Sequence, residues 1–306
     1  MARKPKSMAD QTYAMRYWPH LLGLGLLRLV SLLPWHWQLA FGRRLGQLGY
    51  WVARDRRKVV KRNLTLCFPQ WSQAQRDALS WRHFESIGMG LVELGMAWWT
   101  PDRHLRGRLR IEGLEHLRAA QTRGKGVILL SAHFTSIDIC GRLFAPHVAM
   151  DVLYRKHQIP IIDYLMRRQR ERLFKRAIPR DDIRTMIRSL REGHAIWYAP
   201  DQSYRGKHSV LAPFFGVPAP TNPGTARIAQ MTGAAVVPLF MERHEEQGGY
   251  LVRLLPALES FPQGDPIADA IRINQVIEEQ ILRCPEQYFW LHRRFKKRPG
   301  LPEVYD

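Results

Sequence analysis

A histidine and an acid five positions apart stand directly after an apolar run. Val127-Ile128-Leu129-Leu130 leads into Ser131-Ala132-His133-Phe134-Thr135-Ser136-Ile137-Asp138. Four consecutive apolar residues read as a buried parallel strand, and the C-terminal ends of such strands are where α/β sheets build their sites. Residues five apart diverge by about 140° on an ideal helix at 3.6 residues per turn. The two side chains therefore meet only if His133 lies in a loop and Asp138 in the first turn of the helix that follows. In that arrangement the carboxylate fixes one imidazole tautomer and leaves the other nitrogen to take a proton from a hydroxyl, with no need of a serine nucleophile. Cys140, two residues beyond Asp138, reads as a small buried hydrophobe.

The elements that must hold this pair follow the same rhythm. Ala195-Ile196-Trp197-Tyr198, Ala235-Val236-Val237-Pro238-Leu239 and Tyr250-Leu251-Val252-Arg253-Leu254 read as short strands. Helical stretches over 161–175, 181–191, 221–231 and 266–283 lie between or after them. A further periodic stretch, Leu79 to Trp98, ends before Thr100-Pro101. The alternation predicts an α/β fold, a mixed sheet flanked by helices, preceded by a helical N-terminal region. Within that region, Tyr17 to Phe41 carries Leu21-Leu22-Gly23-Leu24-Gly25-Leu26-Leu27 and Val30-Ser31-Leu32-Leu33, with Trp18, Trp35 and Trp37 at its ends, as at a membrane interface. Arg28 and Pro34 interrupt the run, so it reads as an anchor lying in or dipping into one leaflet. The expected division is an anchor over 1–45 and a catalytic domain over 46–306.

Composition narrows the partners. The chain has 306 residues, with 47 Lys+Arg against 27 Asp+Glu and a formal charge of +20. Disorder is excluded by 45% hydrophobic content, and a disulfide scaffold by only three cysteines. The positive surplus points to polyanions: anionic lipid, an acidic protein or nucleic acid. Eight of the ten tryptophans lie in the first hundred residues, three of them in the N-terminal apolar segment, rather than along a basic groove, which argues against nucleic acid. His157, His194, His208 and His244 lack zinc spacing, and no glycine-rich nucleotide fingerprint follows a strand, so neither a metal nor a cofactor is expected.

The segment Ser-Ala-His133 with Asp138 resembles the H-x-x-x-x-D motif of glycerolipid acyltransferases, and its surroundings resemble the bacterial lipid A late acyltransferases. The matching segments are Leu153-Tyr154-Arg155-Lys156 with Asp163 and Arg168-x-Arg170, and Trp197-Tyr198-Ala199-Pro200-Asp201-Gln202 with Tyr204. Further matches are Ser209-Val210 with Pro213-Phe214-Phe215-Gly216 and Thr221, and Pro285 through Lys296, including Trp290-Leu291-His292-Arg293-Arg294. The residues between His133 and Asp138 depart from the Gly-Asn-Trp/Phe-Glu type sequence of many members.

The resemblance implies acyl transfer from acyl carrier protein to a 3-hydroxyacyl group of a Kdo-lipid A precursor, closest to the lauroyl branch, at the cytoplasmic face of the bacterial inner membrane. In that reading His133 is the base and Asp138 its orienter. Arg155, Arg168 and Arg170, with Asp163, stand at motif positions where a guanidinium fork would take phosphate or sugar carboxylate. Asp201 and Gln202 border the site, and Phe214 with Gly216 and Thr221 belongs to a segment that walls an acyl groove. Helix-surface charge for the arginines, and a strand-end cap for Asp201-Gln202, are the competing readings. His292 reads as a structural hydrogen-bonding group. The rival substrate is another membrane lipid, such as a lysophospholipid or ornithine lipid.

Overall fold

The structure, a computed structural model, describes residues 17–204 and 206–305. The described chain is helical up to Leu105: α1 (Trp18–Val30), α2 (Trp35–Val52), α3 (Arg54–Cys67), the long α4 (Gln73–Trp99) and the short α5 (Asp102–Leu105). The sheet and its helices follow as β1 (Leu109–Glu112), α6 (Leu114–Gln121), β2 (Val127–Leu130), α7 (Ile137–Phe144), β3 (Met150–Tyr154), α8 (Pro160–Leu173) and β4 (Arg176–Pro179). Next come α9 (Ile183–Arg191), β5 (Ala195–Tyr198), β6 (Val210–Phe214), β7 (Val217–Thr221), α10 (Gly224–Thr232), β8 (Ala235–His244), β9 (Gly249–Leu254) and α11 (Pro266–Arg283).

Seven strands form one sheet in the order β1-β9-β8-β2-β5-β3-β4, and β6 with β7 forms a separate hairpin. Every pair in the large sheet is parallel except β8 with β9. All four residues of β2 are buried because both of its faces are covered. Ile128 and Leu130 pack with Ile273, Ile277 and Ile281 of α11, while Val127 and Leu129 pack with Ile139 and Phe144 of α7. The expected mixed sheet flanked by helices is thus the observed one.

Local chemistry sets the element ends. Ser72 and Gln75 form a reciprocal capping box, Ser72 Oγ accepting from Gln75 N at 3.2 Å and Gln75 Oε1 from Ser72 N at 2.8 Å. This starts α4 six residues before the apolar periodicity becomes visible at Leu79. Asp265 caps α11 by accepting from Ile267 N at 2.9 Å, with Pro266 in the first turn. In the β6–β7 hairpin Phe215 (φ 49°) and Gly216 (φ 76°) both turn through positive φ, the two-residue geometry that matches strand twist.

The expected division at 45/46 falls inside α2. α2 lies against α4 so closely that a Cβ on Gly88 would come within 2.1 Å of Gly42 O, and one on Gly46 within 2.1 Å of Phe84 O. The helix bearing Trp35 and Trp37 is therefore part of the packed body, and α1 is the more peripheral element. Residues 1–16 of the expected anchor lie outside the described residues. Gly88→Ala forces apart backbones that nothing flexible can relieve. It should cost roughly 1–3 kcal/mol or more, read as a fall in thermal midpoint of the purified protein.

Candidate active site

Parallel pairing of β2 with β5 builds the site. Leu130 is the register partner of Tyr198, and Ser131 N donates to Tyr198 O at 2.9 Å, so the loops leaving the two strands run side by side. His133 and Asp201 each stand three residues beyond that last pair. His133 Nδ1 lies 2.6 Å from Asp201 Oδ1, and His133 N donates to Asp201 Oδ2 at 3.0 Å. With Nδ1–H held by the carboxylate, Nε2 is the nitrogen left for chemistry. The carboxylate bonded to the imidazole is therefore Asp201, not Asp138 as the five-residue spacing suggested. Asp138, in the first turn of α7 as expected, faces the same cavity and acts on the ring through its charge.

Burial and neighbouring charges act on all three groups. Burial pulls the His133 pKa down. The charge and hydrogen bond of Asp201, with a smaller contribution from Asp138, overcome this and hold it above the ordinary 6.5. Burial would lift the Asp201 carboxyl, but His133 and, more weakly, Arg294 hold it below the carboxylate range. Asp138 is raised by burial and by the Glu93 charge, against the opposing pull of Arg170.

His133 and Asp138 open on a cavity of about 340 Å³. Its walls are mostly apolar: Met150 and Val152 from β3, Met166, Leu173 and Phe174 from α8 and its end, Trp98 from α4 and Trp197 from β5. Arg155 and Arg170 are among the lining residues. The imidazole meets the Trp197 ring edge-on with centroids 6.3 Å apart.

The other expected residues have different places. Asp163 Oδ1 accepts from His157 N at 2.7 Å at the start of α8, and Arg168 is exposed, reaching only Tyr164 OH at 3.5 Å. Gln202 follows Asp201 without lining the cavity. Phe214, fully buried, packs on Tyr288 and Phe295 with the Arg294 guanidinium 5.1 Å from its ring centroid, and Gly216 makes the hairpin turn. Thr221 Oγ1 accepts from Arg294 Nη2 at 2.8 Å. These four hairpin and loop positions build the scaffold behind Asp201 rather than the cavity wall. A Phe-Phe-Gly run gives no local sign of this, because tertiary packing decides which face an aromatic pair presents.

The C-terminal segment backs the loop that carries His133. Phe289 N donates to His133 O at 2.9 Å and Thr135 N to Gln287 O at 2.8 Å. His292 is a structural group, as read from its surroundings. Its Nε2 accepts from Ser203 N at 2.9 Å, and burial lowers its pKa to about 4. Cys140 is fully buried with its thiol pushed far up by burial, which removes it as a nucleophile.

The family described as bacterial lipid A biosynthesis acyltransferase matches residues 6–297. The chain belongs to this family. It is similar to the lipid A biosynthesis lauroyltransferase of Escherichia coli (strain K12), 40% identical over 292 residues covering 95% of each protein. The palmitoleoyltransferase of the same organism is 39% identical over 286 residues, covering 93% of each. A lipid A biosynthesis acyltransferase of Haemophilus influenzae is 33% identical over 301 residues, covering 96% of each.

For this acyltransferase, Asp201→Asn removes the charge that holds the imidazole in its working tautomer. Acyl transfer should fall on the order of 10²-fold to 10⁴-fold with the fold intact by circular dichroism. If His133 takes up the proton it must be neutral to do so, so activity should be lost as pH falls through its pKa, which is raised above 6.5. Asp201→Asn should move that acid limb to lower pH, and Asp138→Asn should move it less.

Proposed function

We propose that the protein transfers a lauroyl-length chain from an acyl carrier protein thioester to a 3-hydroxyacyl group of a Kdo-lipid A precursor. The observation that carries this reading is the His133–Asp201 pair, joined at 2.6 Å, opening with Asp138 on an apolar cavity lined also by Arg155 and Arg170. Nε2 of His133 takes the proton from the acceptor hydroxyl as its oxygen attacks the thioester carbonyl. The tetrahedral centre then collapses, and the thiolate leaves with a proton returned by the imidazolium. No acyl-enzyme forms in this scheme, in keeping with the buried Cys140. Arg155 and Arg170 supply positive charge where the oxyanion develops or where an anionic substrate group must be held.

The mostly apolar lining of the cavity suits an acyl chain, and the similarity to a lauroyltransferase supports the lauroyl length.

The membrane side of the proposal rests on α1. Leu22, Leu26 and Leu29, spaced along one helix face, are 68%, 51% and 64% exposed, while Leu24, Leu27 and Val30 pack inward. Trp18, Leu32 and Trp37 extend the outer patch. Among the described residues no helix is long and apolar enough to cross a membrane. In this reading α1 lies along the cytoplasmic leaflet of the inner membrane with its outer leucines in the acyl region, and the positive surplus favours anionic lipid and an acidic carrier protein.

Two measurements test the reading. Purified enzyme given lauroyl-acyl carrier protein should acylate a Kdo-lipid A precursor and leave lysophosphatidic acid or an ornithine lipid unacylated, as read by mass spectrometry of the products. Turnover confined to the glycerol or ornithine acceptor would reassign the substrate. The triple variant Leu22→Asp, Leu26→Asp, Leu29→Asp should shift the protein from vesicle-bound to supernatant in flotation with anionic liposomes, with an unchanged melting temperature. Undiminished flotation would place the attachment elsewhere.

A further inference from the structure

A second cavity, of about 750 Å³, adjoins the first, and Trp98 and Leu173 line both. Its other walls come from Trp99 to Asp102 and from Leu105, from Arg106 and Gly107, from Arg142, Leu143, Pro146 and His147 around the end of α7, and from Arg172 of α8. Three arginines and one histidine face a single acid, Asp102.

The pairing around that acid is unusual. The Arg142 side chain is only 7% exposed, and its Nη1 donates to Met96 O at 2.7 Å and to Ala97 O at 3.2 Å. Its Nη2 donates to Asp102 Oδ1 at 2.5 Å. The Asp102 side chain, on the four-residue helix α5, is 89% exposed. A buried guanidinium thus has as its counter-ion a carboxylate standing almost wholly in solvent. Burying a cation is costly unless it is paired, whereas holding an exposed carboxylate in place contributes little. Such a partner is readily exchanged for a better-held anion. Arg172 and Arg106 also act on the Asp102 carboxyl. Together with the Arg142 hydrogen bond they hold it below the ordinary carboxylate range, so both lie within electrostatic reach of it. Three cations against one anion leave a surplus of two positive charges beside the reaction cavity.

We propose that the second cavity is a phosphate subsite, in which a phosphate group of one of the two substrates displaces Asp102 from Arg142 and is held as well by Arg106 and Arg172. Guanidinium forks suit phosphate oxygens, and a dianion restores the charge balance that Asp102 alone does not. The inference rests on the acyl-transfer reading, which places both substrates at His133, next to the shared wall of Trp98 and Leu173. The phosphate belongs either to the headgroup of the acceptor or to the prosthetic arm of the carrier-protein donor, and Asp102 is its competitor in the empty enzyme.

The test uses full-length enzyme in detergent, with the KM of donor and of acceptor each measured while the other saturates. In the double variant Arg106→Gln, Arg172→Gln one of these KM values should rise about tenfold or more, with kcat within about twofold. A rise for the donor assigns the site to the carrier arm, and a rise for the acceptor assigns it to the headgroup. Asp102→Asn, which keeps an oxygen for Arg142 but removes the competing charge, should lower that same KM. Unchanged KM values in the double variant, or a rise in KM with Asp102→Asn, would overturn the proposal, since a purely structural Arg142–Asp102 bridge predicts loss only where Asp102 is replaced. Inorganic pyrophosphate titrated calorimetrically gives a readout independent of turnover. Binding by the wild type that the double variant weakens supports the subsite even if no acyl is transferred, whereas absent transfer with that binding intact sinks only the functional reading.

Discussion

The geometry of the candidate site depends on the parallel, in-register pairing of β2 with β5. Leu130 opposite Tyr198 sets the two exits of the sheet level with each other, and His133 and Asp201 then stand at equal distance beyond the last paired residues. A slip of one residue would turn every side chain of β2 to the opposite face and carry His133 away from Asp201. The register is protected by burial on both faces, with Ile128 and Leu130 in one core and Val127 and Leu129 in the other.

Below that loop a buried polar network resists distortion. Arg243 donates to Glu93 through Nε and Nη2, both at 2.6 Å, and to Ser86 Oγ at 3.1 Å, while Ser86 Oγ and Thr135 Oγ1 lie 2.7 Å apart. Gln287 bridges from the other side, its amide exchanging hydrogen bonds with the Arg243 backbone at 2.7 and 2.9 Å. An ion pair sealed this way adds little net stability over an apolar substitute, because desolvation consumes most of the Coulomb gain. Its contribution is to location. Thr135 is tied to α4, to β8 and to the C-terminal segment at once, which holds the backbone between His133 and Asp138. The same Glu93 charge helps raise the Asp138 carboxyl.

The basic surplus divides between surface and interior. Arg294 is buried, its Nη1 donating to Pro220 O at 2.6 Å, and Arg62 Nε donates to Val304 O at 2.7 Å. The cation-rich C-terminal run thus includes one residue that closes the fold around the hairpin. Arg155 and Arg170 line the reaction cavity, whereas Arg168, two residues from Arg170, points away from it because neighbouring helical positions face different directions.

By itself the sequence determined the type of fold and singled out one member of the His133–Asp201 pair. Alternating apolar runs and helical periods marked β2, β5, β8 and β9, since strand burial and helix amphipathicity are local properties of spacing. His133 stood out because a histidine after a buried strand is a local signal as well. The short strands β3 and β4 and the hairpin β6–β7 were not marked, because β3 and β4 are brief and polar-mixed and the hairpin carries three prolines. The partner of His133 was decided only by the tertiary structure. Asp201 lies 68 residues away, and a contact between two loops exists only once the strands beneath them have paired. The gathering of Arg142 and Arg172 around Asp102 and its chain neighbour Arg106 was likewise a product of packing, as they come from α7 and α8.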